Sequence, residues 1–229
     1  MQSDYQLGTS STSVALGAHK VLRNTYMLLG LSMLPTVVGA LAGMSMNFSA
    51  FAQHPFMFAL GAFAVMMALF FGINANRNNS LGIVLLLVLT GFMGLMLGPV
   101  LQMALHLRNG AQIVGLAAGG TGVIFMTLAS IATVSKRDFS FLGNFLMIGL
   151  VLLIVASLAN MFFQVPAVAL TISAISILVF SGLILFDVNR VVRGGETNYV
   201  MATLAIYLDI YNLFINLLHL LMVLMGERD

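Results

Sequence analysis

The chain contains no cysteine, which excludes disulfides, thiolate catalysis, thiolate metal sites and S-palmitoylation. It is also poor in charge: 7% of its 229 residues are charged and 60% are hydrophobic, against roughly 25% charged in an ordinary soluble domain. Nine basic and seven acidic side chains cannot clothe an aqueous surface of this size, so lipid is the solvent this composition fits. There is no basic run, and a net charge of +2 points to no nucleic-acid partner.

What the sequence has instead is long uncharged runs. No charged residue lies between Arg23 and Arg77, between Arg108 and Lys136, or between Asp138 and Asp187. A helix needs about 20 apolar residues to cross a hydrocarbon core of roughly 30 Å. The first and third runs each hold two crossings and the second holds one. The pattern predicts an all-α integral membrane bundle of seven spans: Thr25–Met46, Pro55–Ile73, Leu81–Leu105, Ala111–Val134, Ser140–Phe163, Pro166–Val188 and Val200–Met225. Pro55 and Pro166 sit at helix starts, where a missing N–H costs nothing. Pro99, after Gly98, is expected to kink the third span or end it early.

Residues 1–18 are polar, rich in Ser and Thr, and without apolar period, which predicts a flexible tail ahead of a transmembrane domain over 19–229. Lys20, Arg23 and then Ala40-Leu41-Ala42 resemble a cleavable signal peptide. The apolar run is too long for one, however, and a polar segment precedes it, so the span is expected to be retained. With the tail in the cytoplasm, that side collects Lys20, Arg23, Arg77, Lys136, Arg137, Arg190 and Arg193, and the other side only Arg108 and Arg228. The bias places the N-terminus inside and the C-terminus outside. All connections are short, so the expected activity lies within the bilayer or the tail.

Charged groups inside apolar spans are costly, about 2.5–3.5 kcal/mol each at mid-helix. Asp187 on the sixth span and Asp209 on the seventh are the two clear cases, and each stands eleven residues from Asn198 in the connection. Equal distance from the turn of an antiparallel hairpin means similar depth, so the carboxylates meet if the helices face each other. Two such groups cannot both ionise cheaply. They form a natural proton switch, or a hard-cation site whose oxygens suit Ca²⁺. The plainer alternative is that Asp187 caps its helix and pairs with Arg190. That alternative is weaker for Asp209, about 13 Å inside its span at 1.5 Å per residue.

Asp209, Asn212, Asn216 and His219 follow at intervals of three, four and three, on one narrow helical face. Such a stripe faces protein or water. It serves either interhelical hydrogen bonding or a wet pathway leading outward from the aspartates, and His219 can protonate near neutral pH or act simply in packing. On the sixth span, Ser173, Ser176 and Asp187 share a face with Phe180. Glycines at 91, 94 and 98, and again at 115, 119 and 122, are expected to let helices approach closely. The seventeen methionines are scattered and read as pliable core. No enzyme signature appears: Gly-x-Gly-Asp of presenilin-type proteases is absent at both aspartates. Gly43-Met44-Ser45-Met46 lacks the deep His a rhomboid-type protease needs, and there is no Walker, dinucleotide or His-rich metal motif.

Several segments carry a resemblance. Gly194-Gly195-Glu196-Thr197-Asn198-Tyr199 precedes Ala205-Ile206-Tyr207-Leu208-Asp209-Ile210-Tyr211-Asn212-Leu213-Phe214. Earlier come His19-Lys20-Val21-Leu22-Arg23-Asn24-Thr25-Tyr26, Gly98-Pro99-Val100-Leu101 and Asp138-Phe139-Ser140-Phe141-Leu142-Gly143. Together they resemble the Bax inhibitor-1 family over nearly the whole chain, and the Gly-Gly-Glu-Thr-Asn-Tyr loop resembles its bacterial branch. The family resemblance implies seven helices with the last one central. It also implies that Asp187 and Asp209 are the paired aspartates of a pH-sensitive Ca²⁺ leak, with no cofactor beyond Ca²⁺ as permeant ion. Some members latch the pair with an arginine on the second helix; Pro55–Ile73 contains none, and Arg77 lies just beyond it. The branch resemblance implies an inner-membrane protein that restrains the FtsH membrane-anchored protease, its tail serving as a handle.

Overall fold

The computed structural model describes residues 3–48 and 53–226. These form α1 (Ser3–Ser45), α2 (Pro55–Ala75), α3 (Ser80–Met96), α4 (Gly98–Leu105), α5 (Gly110–Val134), α6 (Leu142–Phe163), α7 (Pro166–Val192) and α8 (Tyr199–Met225), with no strand among the described residues. Seven spans are long and apolar enough to cross a bilayer, α3 and α4 together making the third. The expected break falls at Leu97, between Met96 and the Gly98-Pro99 start of α4. Pro35, by contrast, sits inside α1 without ending it.

Local chemistry sets the ends. Pro55 and Pro166 open α2 and α7. The fifth span starts at Leu142 instead of Ser140, because the Ser140 N–H and hydroxyl both donate to Asp138 Oδ1 and hold a turn there. Gly194, at a φ of 75°, turns the chain after α7. Asn198 caps α8 by accepting from the N–H groups of Val200 and Met201.

Two expectations change. The first helix begins at Ser3, so the expected irregular tail is helical from that residue on, continuous with the first span. Extending a helix already nucleated by a packed span costs little per residue, and no proline precedes Pro35. The glycines divide as well. On α1 and α3–α4 they permit backbone contact: a Cβ at Gly39 would lie 2.1 Å from Gly91 O, one at Gly94 2.1 Å from Thr36 O, and one at Gly98 2.5 Å from Gly43 O. On α5, Cβ atoms at Gly115, Gly119 and Gly122 would meet nothing within 4 Å. The spacing is similar, but that face of α5 has no neighbouring helix.

The last helix is central. α8 packs against α1, α2, α3, α5 and α7, and no residue from Val200 to Met222 is exposed. α6 lies outside, packed on α7, where Phe186 and Val179 meet Gly143 and Gly149. Its outer face and that of α2 present Phe63, Phe71, Phe145, Leu152 and Phe162, as lipid-facing helices require.

At one end three connections are stapled together. Asn189 donates to Ala132 O and Arg137 O and accepts from Phe139 N, while Arg193 donates to Lys136 O. Asn198 donates to Arg77 O and Asn78 Oδ1. Arg77, Lys136, Arg137, Arg190 and Arg193 therefore gather at this end, as the charge pattern requires of alternating spans. At the other end Asn109 donates to Met225 O. Arg228 and residues 1–2 lie outside the described residues.

Candidate functional site: a buried aspartate pair between the last two helices

α7 and α8 run antiparallel and in contact, joined by the short turn that Gly194 and the Asn198 cap fix. Asp187 and Asp209 occupy facing positions on them, and their side chains approach within hydrogen-bonding reach of one another. Asp209 is buried, at 6% exposure, and its Oδ2 has no hydrogen-bond partner. Asp187 is half-buried. An unsatisfied carboxylate oxygen inside an apolar bundle is costly, so the chemistry open to this place is sharing a proton or receiving a cation.

α7 continues five residues past Asp187, to Val192, so Asp187 is not a helix cap. The helix exceeds its expected end at Val188 because Asn189 and Arg190 find partners in the adjoining connections. Arg190, expected opposite Asp187, pairs instead with Glu196 at 3.5 Å and donates to Gly195 O at 3.4 Å. It is the cation whose charge reaches Asp187, and Glu196 is the nearby acid. Arg190 stands in the last turn of α7 and Glu196 in the fold-back after it, and no second-helix arginine takes part.

The polar stripe of α8 is partly inward-bonded. Asn212 donates to Leu208 O and Asn216 to Asn212 O, each at 2.8 Å within the helix. His219 reaches across to α7, its Nδ1 2.9 Å from Ser173 Oγ. Two tyrosines on α8 escape a sequence reading based on charge. The Tyr207 hydroxyl lies 2.8 Å from Thr36 Oγ1 and donates to Thr90 O, while the Tyr211 hydroxyl donates to Met93 O. Either hydroxyl can donate in the Thr36–Tyr207 contact, and each also has a carbonyl within reach, Ser32 O for Thr36 and Thr90 O for Tyr207. Their signal was present, since a buried phenol in an apolar span needs a partner. These bonds tie α8 to α1 and α3 on the side away from the aspartates.

Two carboxylates are few for resident Ca²⁺, which takes 6–8 oxygens, and the described residues hold no cluster of three or more His, Cys, Asp or Glu that could bind a metal. The pair alone is too small a ligand set for permanent Ca²⁺ ligation. Outside the spans, the Ser140 hydroxyl and N–H hold the Asp138 carboxyl below its ordinary range, with Arg193 adding a smaller pull.

The sequence model of a family described as inhibitor of apoptosis-promoting Bax1 matches residues 18–226. The chain is similar to an uncharacterized membrane protein of Vibrio cholerae, 42% identical over 221 residues, covering 96% of each chain. An uncharacterized protein of Neisseria meningitidis serogroup B is 41% identical over 224 residues, 94% of this chain and 96% of that one. A protein of Escherichia coli K12 named modulator of FtsH protease YccA is 38% identical over 206 residues, 90% of this chain and 91% of that one. A protein of a second E. coli strain, at the same identity, is named inner membrane protein YccA.

Proposed function

The chain belongs to the Bax inhibitor-1 family, and from that membership we propose that it is an ion-handling membrane protein, a proton-sensitive Ca²⁺-permeable leak gated by Asp187 and Asp209. The observation that carries this reading is the approach of the two carboxyl groups at the α7–α8 contact, with one Asp209 oxygen unsatisfied. Binding and release of a proton there changes the charge at the centre of the bundle, and α8 responds because it touches most of the other spans. No enzymatic step is assigned. The test is Ca²⁺ flux into liposomes over a range of pH, for wild type and Asp209→Asn. A pH-dependent flux that loses its pH response in the variant is expected. Equal flux from both proteins at every pH removes the reading.

A second reading has its own observation, the E. coli relative named a modulator of FtsH protease. On this reading the chain sits in a bacterial inner membrane, N-terminus in the cytoplasm, and restrains an FtsH-type protease. The helical extension of α1 ahead of Gly17, roughly 20 Å long at 1.5 Å per residue, serves as the handle. Co-purification with the protease and slower turnover of its membrane substrates are expected. Turnover unchanged on deleting residues 3–16 would remove the handle's part. The two readings are compatible, one naming a site and the other a partner.

A further inference from the structure

The α7–α8 seam is polar at both ends, and only one end holds the aspartates. His219 lies ten residues beyond Asp209, about 15 Å along the axis, with its Nδ1 2.9 Å from Ser173 Oγ. Ser173 is buried and His219 half-buried. On α8 the interval holds Asn212 and Asn216, whose amide nitrogens are satisfied within the helix, leaving their oxygens as acceptors. On α7 the interval holds Ser176 and then Phe180 and Leu183, both buried and apolar. Val179, Gly182 and Phe186 face α6, which places the Phe180–Leu183 side of the helix toward the seam.

The electrostatic surroundings are sparse. α2, α3, α4 and α5 carry no charged residue, and α7 carries none before Asp187. Lys20, Arg23 and Tyr26 of α1, together with Arg190 and Glu196, belong to the aspartate end. Tyr207 and Tyr211 are engaged with α1 and α3. His219 is therefore the titratable side chain that α7 and α8 place in the far half of this seam; His106 and Arg108 stand at the same end of the bundle, in the α4–α5 connection whose Asn109 donates to Met225 O.

We infer that Ser173 and His219 form a second proton-binding site, serving the end of the bundle opposite the aspartate pair, with Phe180 and Leu183 separating the two sites. The inference rests on the ion-handling reading for its purpose, because passage through the bundle needs a station for each face. The proton balance is simple. When His219 Nδ1 is unprotonated it accepts from the Ser173 hydroxyl. When both ring nitrogens carry protons, Ser173 Oγ accepts, and its own hydrogen turns to the carbonyl one turn back on α7.

The experiment is ¹⁵N-histidine NMR of the full chain in lipid nanodiscs from pH 5 to 8. The chain has four histidines, and His219→Gln assigns the resonance. His219 is expected to change protonation state reversibly over this range. In Asp187→Asn/Asp209→Asn, which removes the pair's charge altogether, its response curve should differ from that of the wild type. A His219 that keeps one neutral tautomer throughout overturns the proposal, and the wild-type measurement decides this even where the double variant fails to fold. A response curve unchanged in the double variant overturns the coupling of the sites. Ca²⁺ flux with an inert His219 leaves the leak reading standing without this site. A responsive His219 without flux leaves the site standing without the leak.

Discussion

Replacing one glycine by alanine should separate two helical faces that look alike in sequence. At Gly94 the added Cβ would sit 2.1 Å from Thr36 O, 2.8 Å from Thr36 C and 2.9 Å from Thr36 Cα. All three are backbone atoms, so no side-chain rotation relieves the clash, and α1 and α3 must part by roughly 1 Å to restore an ordinary carbon–oxygen contact of about 3.2 Å. Thr36 also meets the Tyr207 hydroxyl at 2.8 Å, so parting the helices strains the tie to α8 as well. Overpacking of this kind costs about 1–3 kcal/mol, and an interhelical hydrogen bond in a membrane adds about 0.6 kcal/mol. A total of about 2–3 kcal/mol lowers the melting temperature of a protein this size by roughly 4–12 °C.

Gly119→Ala is the matched control. Its Cβ meets nothing within 4 Å, and alanine favours the helix by up to about 1 kcal/mol over glycine. Thermal unfolding in detergent, followed by light scattering or by loss of a fluorescent reporter, should show Gly94→Ala clearly destabilised and Gly119→Ala unchanged or slightly more stable. Equal melting of the two variants would refute the claim that α1 and α3 touch backbone to backbone while the corresponding face of α5 meets lipid.

Tyr207→Phe removes the hydroxyl that meets Thr36 and Thr90 and should cost about 0.6–1.7 kcal/mol in the same melt, more than Tyr211→Phe, whose hydroxyl serves Met93 O alone. Asn189, 2% exposed, joins three backbone groups of the 132–139 segment. Asn189→Ala should cost about 1–3 kcal/mol and speed protease cutting in that connection, and an unchanged cutting rate would count against the staple. The depressed Asp138 carboxyl makes its turn pH-dependent. A folded-state value below the unfolded one contributes order above the unfolded value and loses it as pH falls through the folded one. Amide exchange at Ser140, corrected for intrinsic rate, should therefore accelerate on acidification below the ordinary carboxylate range, and Ser140→Ala, which loses the hydroxyl bond and keeps the N–H bond, should weaken that dependence.

Much of the architecture was legible because lipid imposes a strict rule: long uncharged runs bounded by charged residues. The aspartate approach was legible from one more step, equal distance from a turn. Arg190 was not, because its choice between Asp187 and Glu196 depends on how the chain folds back after Gly194, a long-range matter at residue scale. The glycines were half legible. Spacing shows that a helix can present a flat face, but whether a neighbour occupies it is decided by the other spans, as the contrast between Gly94 and Gly119 shows. Tyr207 and Tyr211 were missed since a search for charge passes over neutral hydroxyls, although burial makes their bonds obligatory.

The placement of α8 follows from the same physics. Lipid tails are as apolar as leucine, so a membrane helix gains nothing merely by hiding hydrophobic residues, and small or polar residues decide which helices go inside. α8 carries Asp209, Asn212, Asn216 and His219 on one side and the hydroxyls of Tyr207 and Tyr211 on another. No orientation at the bundle's rim keeps all of these from lipid, and only the centre does. Its two flanks differ in kind. Toward α1 and α3, tyrosine bonds anchor it to a pair of helices already locked by glycine contacts. Toward α7 it meets serine, phenylalanine, leucine and the Asp187 carboxyl, and on that flank its own Asp209 Oδ2 lacks a partner. On the proposed ion-handling reading, a helix held firmly on one flank and incompletely satisfied on the other has one direction in which a change of charge moves it. That direction is the seam where the aspartates meet.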